Sequence, residues 1–358
     1  MASWTVTGDI MAEAKKSRRL GRKPLAVGFL STVAVAALGA VAPAVAQSLE
    51  LKHGTFLPPR HPSTLMMRKS AEMLDLMTEG RVKVKVFDSS TLAKSTDQLD
   101  AVQRGVMDLG RYIFTYSSLR QRPFYMVGSI PFLYRDGAGF IRAWTSEPTL
   151  MEMANQYAPK YGYDNVILFD VSYSGFARVA LRNKEARTPA DLKGLKIRGT
   201  GTYIAIVESY GGSAVTIDTP EVYGALERGL IDGAIGLNTN WINFKWAEPA
   251  TYLIDYNLAP VGATLTLRKT TWAKLSDRDK GLFRYYAKYM AAELTNQYLQ
   301  EDVSGNNVLA SQLKIYTPTP EEKKLWDAPR GKVVDEWIKV VGEADGRKAV
   351  AIIEKYNK

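Results

Sequence analysis

The sequence predicts an α/β protein of two lobes joined by crossing strands and a long helix, and three features point there. Strand-like and helix-like segments alternate in two separate series, from residue 49 to about 112 and from about 194 to 237, at the spacing of parallel strands with helical crossovers. Between the series lies "NVILFDVSYSGFARVALRN" (165–183), a β-rich run with a glycine in its middle, long enough to pass from one lobe to the other. After them, 276–313 reads as a mostly helical segment far longer than the usual crossover, with Gly305 as a candidate break.

The first series opens with "LELKHGTFLP" as strand and loop. An amphipathic helix follows over "STLMMRKSAEMLDLMTEG", ending at Gly80, and "RVKVKVFDSS" alternates with period two, as a strand does. "STDQLDAVQRGVMDLGRY" reads as a helix with Gly105 near its end, then a strand. A helix around 138–158 precedes the crossing run. The second series is "KGLKIRGT", a helix over 202–210, "SAVTID", a helix over 219–230 and the strand "DGAIGL" (232–237). No repeat of 20 to 50 residues and no low-complexity tract is present, so a solenoid or propeller is not expected.

At 358 residues, 46% hydrophobic and 23% charged, the chain has the make-up of a folded protein with room for two cores. Its N-terminus differs. "KKSRRLGRKP" (15–24) precedes the apolar "LAVGFLSTVAVAALGAVAPAVA" (25–46), which ends in an A-x-A pattern, and the three parts match a secretory signal cleaved before Gln47. A membrane anchor is the alternative, although Pro43 and the small residues suit a peptidase better. Arg18-Arg19 raises a twin-arginine route, and Met11 a later start.

Six Lys or Arg and two acids lie before residue 47 and supply +4 of the formal +10, leaving about +6 over 41 basic and 35 acidic residues. No run of five like charges follows, so nucleic acid is not an expected partner, while a basic cleft for anions is compatible. Cysteine is absent, which removes disulfides, thiolate nucleophiles and cysteine-held metals. Only His53 and His61 exist, neither in H-E-x-x-H, and no G-x-S-x-G is present. Catalysis is therefore not expected, although a hydrolase built on His61 stays open as an alternative.

The stretch "DLKGLKIRGTGTYIAIVESYGG" (191–212) poses the functional choice. Gly199 and Gly201 follow a strand, as in a dinucleotide-binding turn, yet the third glycine of that fingerprint falls on Ile204. The other reading rests on Arg198, which closes the strand ahead of a helix N-terminus, where a guanidinium and backbone N–H groups converge on a small anion. Arg178 in the crossing run is a second candidate, against a salt bridge as the plain alternative. Tyr223, Trp241, Phe244 and Trp246 form an aromatic cluster that is either core or pocket wall.

These motifs resemble one family, the extracytoplasmic solute-binding proteins of TRAP (tripartite ATP-independent periplasmic) transporters. The resemblance rests on "HPSTLMMRKSAEMLDLMTEGRVKVKVF", "STLAKSTDQLDAVQRGVMDLG", "SIPFLYRD" and "ARVALRNKEARTPADLKGLKIRG", then "PEVYGALERGLIDGAIG", in that order. It implies a type II-like periplasmic binding protein fold. The expected division is a leader over 1–46, lobe I over 47–170 with part of the C-terminal segment returning to it, lobe II over 171–275, and the long hinge helix with a helical C-terminal segment over 276–358. It implies a periplasmic protein that captures an organic acid and delivers it to the permease. A sensor subunit with the same fold is the alternative from that class.

The resemblance carries the carboxylate contact onto Arg198 and a second one onto Arg178. It places His61, Asp97, Arg111 and Tyr112 near the cleft in the first lobe, and Thr219 and Tyr223 in the second. Many members have "DGQEN" where this chain has "DGAIG". Gly236 takes the place of the ligand-contacting asparagine, with Asn238 or Asn240 as substitutes and Trp241 as a neighbour that suits a bulkier acid. A monocarboxylate, keto acid or aromatic acid is thus expected before a C4-dicarboxylate. No cofactor is implied, and a metal ion bridging ligand to protein stays open, as does the oligomeric state.

Overall fold

The structure, a computed structural model, describes residues 48–116, 128, 130, 132–146 and 148–357, so the leader lies outside the described residues. Among them, nine strands form one mixed sheet. The strands are β1 (Leu49–Gly54), β2 (Val82–Phe87), β3 (Leu109–Ile113), β4 (Val166–Leu181), β5 (Lys196–Arg198), β6 (Ser213–Val215), β7 (Gly233–Gly236), β8 (Tyr252–Arg268) and β9 (Lys314–Tyr316). Their order is β2-β1-β3-β8-β4-β7-β5-β6, with β9 beside β8.

The two sequence series occupy the two ends of this sheet. β1 pairs in parallel with β2 and β3, and β5 pairs in parallel with β6 and β7. β4 and β8 run antiparallel through the middle and belong to both ends. β3 takes the last residues of β8, while β7 takes the last residues of β4 and β9 the first of β8. The expected crossing run at 165–183 is β4. Its partner β8, the longest strand among those described, had not stood out in the sequence, because Pro260 interrupts its pattern. Pro260 lies opposite Phe176 beside one of three register shifts along the pair, where a residue without an N–H is tolerated.

The long helix spans Asp277–Ala310. It begins at Ser276, whose hydroxyl accepts from the Asp279 N–H, with Asp277 and Asp279 in its positive first turn. Gly305 does not break it. A Cβ there would stand 3.2 Å from both Asn238 Nδ2 and Ile242 Cδ1, so the glycine serves close packing against the helix Asn238–Asn243. The first end of the sheet is backed by a core that includes Trp144, Tyr157 and Tyr163, with Trp337 and Ile353 brought back from the C-terminal helices Arg330–Val341 and Glu343–Lys355. The second end has a smaller core around Trp241, Trp246, Leu226 and Leu253.

Candidate functional site

A cavity lies where the two ends of the sheet meet, and each end contributes one buried arginine to it. Its free volume is about 30 Å³, room for little more than water, so the halves are closed over it. Hydrogen bonds span the halves. His61 and Thr239 share a hydrogen bond of 3.0 Å, the Thr219 hydroxyl donates to the Tyr116 hydroxyl at 3.0 Å, and the Ser95 N–H and hydroxyl both reach Asp218 Oδ1.

Arg198 ends β5 and is 2% exposed. Its Nε donates to the Ile217 carbonyl at 3.1 Å, one terminal nitrogen to the Ile235 carbonyl at 3.4 Å and the other to Thr219 Oγ1 at 3.2 Å. Its guanidinium lies over the rings of Trp246 and Tyr116, at 5.2 and 5.8 Å from their centroids. Burial lowers its pKa from the usual arginine value. Arg111, on β3, is equally buried. It donates to Ser174 Oγ at 2.7 Å, to Ser172 Oγ at 3.4 Å and to the Tyr298 hydroxyl at 3.1 Å, while its Nε has no partner.

Among the described residues, neither guanidinium has a carboxylate within 4 Å. Every acceptor named for them is a neutral oxygen. Burying a charge without a counterion costs several kcal/mol per ion, so the two cations leave a strongly positive, uncompensated cavity.

His61 caps the helix Pro62–Met77. Its Nδ1 accepts the Ser63 N–H at 3.1 Å and so carries no proton, which leaves Nε2–H to donate to Thr239 Oγ1. Burial, helped by the nearby Arg111 charge, lowers its pKa to about 3, and the ring is neutral. The imidazole is thus a strut between the halves. His53, in β1, is lowered to about 4 for the same two reasons.

The other expected residues divide. Thr219 holds Arg198 and touches Tyr116 across the closure. Arg178 does not line the cavity. It projects from the opposite face of β4, where it donates to Asp255 Oδ1 at 2.7 Å, to Asn306 Oδ1 at 2.9 Å and to Asn238 Oδ1, and Asn238 lies with it on that face. Its in-chain neighbour Ala177 lines the cavity instead. Tyr112 points into the first core against Phe114, and Trp241 packs edge-on to Trp246 in the second. Tyr223 is half-buried and donates to Glu227, and Asp97 is exposed on a turn beside Ser95.

The amide that lines the cavity is Asn240, with its Oδ1 accepting the Leu237 N–H at 2.9 Å. Gly236 is required beneath it. A Cβ there would meet the Trp246 ring at 2.8 Å and Asn240 Cβ at 3.3 Å, so this position has no room for an asparagine. Tyr116, Tyr203, Thr239 and Tyr298 also line the cavity and were not singled out in the sequence, nor were the apolar Phe56, Leu57, Ile113 and Val261. Nothing in their local pattern distinguishes them from core residues.

Two α/β halves closed over a cation-lined cavity, hinged on two crossing strands and a long helix, are the design of an extracytoplasmic solute-binding protein. The model of the bacterial extracellular solute-binding proteins, family 7 (DctP), matches residues 53–340, and the chain belongs to that family. A solute-binding protein of Chromohalobacter salexigens is 25% identical over 289 residues, covering 78% of this chain and 82% of the relative. The C4-dicarboxylate-binding periplasmic protein DctP of Rhodobacter capsulatus is 24% identical over 326 residues, or 88% and 94%.

Among solved structures, a TRAP periplasmic solute-binding protein of Shewanella oneidensis with bound succinate superposes with a TM-score of 0.78 at 18% identity, over 87% of this chain and 100% of that one. An extracytoplasmic solute receptor of Bordetella pertussis that binds pyroglutamic acid gives 0.77 at 20% identity over the same shares. These likenesses establish the two-lobed binding-protein fold. The dinucleotide reading of 191–212 has no support in that fold.

Proposed function

We propose that this chain captures a small organic acid in the cavity between its halves and presents the closed complex to the membrane permease of a TRAP transporter. The observation that carries the reading is the pair of buried guanidiniums, Arg198 and Arg111, one from each half and neither with a carboxylate partner. Arg198 binds the carboxylate. Arg111 meets a second acceptor on the ligand through its unpartnered Nε. The apolar wall of Phe56, Leu57, Ile113 and Val261 takes the body of the acid, which favours a compact monocarboxylate or keto acid over a sugar acid whose hydroxyls would need partners.

The halves serve as lobes, divided near 170 and 275, and part to admit the acid. Closure removes water from the ion pair and so strengthens it. The basic and apolar segment before Gln47 is the export signal, and the mature protein works in the periplasm. No catalytic role is assigned to any residue.

The testing experiment is a thermal-shift screen of residues 47–358 against organic acids, amino acids and sugars, with Arg198→Ala alongside. A ligand that binds only the folded protein raises its melting temperature by mass action. A group of acids that stabilises the parent and not the variant supports the reading. Stabilisation by neutral sugars alone, or an acid response that survives in the variant, overturns it.

A further inference from the structure

We propose that Arg178 is a positioning residue. It never touches the captured acid but fixes, from the far face of β4, the short helix that carries Thr239 and Asn240 into the cavity. The proposal rests on the reading of that cavity as the capture site, and its structural part is testable without any ligand.

Beside the register shift at Ala177–Val179, β4 places Ala177 on the cavity and Arg178 behind it. There Arg178 differs from Arg111 and Arg198 in one decisive respect: it already has a counterion. Asp255 of β8 lies 2.7 Å from one terminal nitrogen. The other nitrogen is shared by two amide oxygens, Asn238 Oδ1 and Asn306 Oδ1, the second from the long helix. Asn238 Nδ2 in turn reaches Asn306 Oδ1 at 3.3 Å and the Asp302 carbonyl at 3.5 Å. One planar fork therefore ties both crossing strands and the long helix to a single residue, Asn238.

Asn238 opens the helix Asn238–Asn243, only six residues long. A helix of that length has almost no stability of its own, so its position is set by what holds its ends. The N-terminal end is held by the Arg178 fork and by the close approach that Gly305 permits. The next two residues are the cavity's Thr239 and Asn240, and Thr239 receives the His61 bond that joins the halves. Further along the same segment, Trp246 lies over the Arg198 guanidinium. Loosening Asn238 therefore loosens the threonine, the amide and the aromatic platform of the carboxylate-binding arginine together.

Lysine in place of Arg178 keeps the charge opposite Asp255 but cannot serve the strand and both asparagines with one planar group. The test compares Arg178→Lys, Asn238→Ala and the double variant by hydrogen exchange of the ligand-free protein, with total tryptophan emission as a second signal. Expected is an exchange rate at 238–246 about tenfold faster in each single variant, no further rise in the double, and unchanged protection in β1–β3. Unchanged exchange at 238–246 in Arg178→Lys overturns the proposal, as does additivity in the double variant or a rise spread over the whole chain.

Pyruvate, a compact keto acid of the class the cavity favours, serves as the probe for binding. In Arg178→Lys its affinity falls about tenfold, matched by Asn238→Ala, as a positioning role requires. A tenfold loss in Arg178→Lys with none in Asn238→Ala marks direct ligand contact and overturns positioning. If the parent protein binds no pyruvate, that counts against the capture reading for this acid, and the exchange result alone decides the positioning role.

Discussion

The two cavity arginines are held in opposite ways. Arg198, on the second half, donates to two backbone carbonyls and a threonine, and it lies near the rings of Trp246 and, from the first half, Tyr116. Arg111, on the first half, donates to three side-chain hydroxyls and keeps its Nε open. The Ile235 carbonyl in β7 and the Ile217 carbonyl just past β6 are main-chain acceptors with little freedom, whereas hydroxyls rotate and their side chains change rotamer. On the proposed reading the second half holds its arginine in place through Ile217, Ile235, Thr219 and Trp246 before closure adds Tyr116, and the first half offers an adaptable site. Preorganisation of the first contact lowers the ordering cost of binding, and adaptability of the second tolerates ligands of different length.

The strongest way to break this comparison is to exchange the roles. Arg198→Ala removes a buried hydrogen-bonded charge partner and is expected to cost about 2–5 kcal/mol, or roughly 30- to several-thousand-fold in affinity. Arg198→Lys recovers little of it, because the carbonyl cage fits a fork rather than a point charge. Arg111→Lys retains more, since hydroxyls can regroup around an ammonium. Calorimetric titration of the three variants decides the point. Equal losses in the two lysine variants would show that the cages do not differ in rigidity.

A second contrast between the halves is electrostatic. Both histidines sit in the first half, neutral by burial, with pKa values lowered to about 4 for His53 and about 3 for His61. The unfolded chain takes up protons near pH 6.5 that the native protein refuses, so these groups cost stability as pH falls below 6.5. Asp302, on the long helix, works against them. Burial raises its pKa to about 6, so between pH 6 and its unfolded value the native state holds a proton the unfolded chain lacks. The neighbouring Glu301, also raised by burial, works in the same direction as Asp302, and two histidines against these carboxyls leave a net loss of stability from pH 6 to 5, on the order of 1 kcal/mol or less per pH unit. Urea unfolding at several pH values measures it. Asp302→Asn should steepen the slope, and a flat profile would mean that the histidines are hydrated or charged in the native protein.

Much of this was legible in the sequence. The alternation of strand and helix, the crossing run, the long helix and Arg198 at a strand end all follow from local pattern, because each depends on neighbours within a few residues. What escaped depends on phase and distance. Three register shifts along β4 and β8 decide whether residue 177 or 178 faces the cavity, and period-two reasoning does not carry through a bulge. Tyr298 lies far along a helix with polar residues on most sides, and only tertiary packing brings it to Arg111. Gly305 looked like a break and is a contact, since its helix is held by packing on both flanks rather than by propensity.

Tyr298→Phe sharpens the comparison with the smallest change. The Tyr298 hydroxyl accepts from Arg111 at 3.1 Å and from Ser63 Oγ at 2.9 Å, while the ring lies under the guanidinium at 5.2 Å. Phenylalanine keeps the ring and deletes one acceptor. An adaptable cage redistributes: Arg111 retains the two serines and turns its freed donor to the ligand. Folding stability should therefore drop by about 2–4 kcal/mol, the worth of one neutral and one charge-assisted bond, while ligand affinity changes by less than about fivefold. The matched change in the rigid cage, Thr219→Val, deletes one acceptor of Arg198, and the surrounding carbonyls have no freedom to compensate. It should weaken binding more than Tyr298→Phe does. If the two changes weaken binding equally, hydroxyls and carbonyls hold their arginines alike, and the ligand chooses its own geometry on both halves.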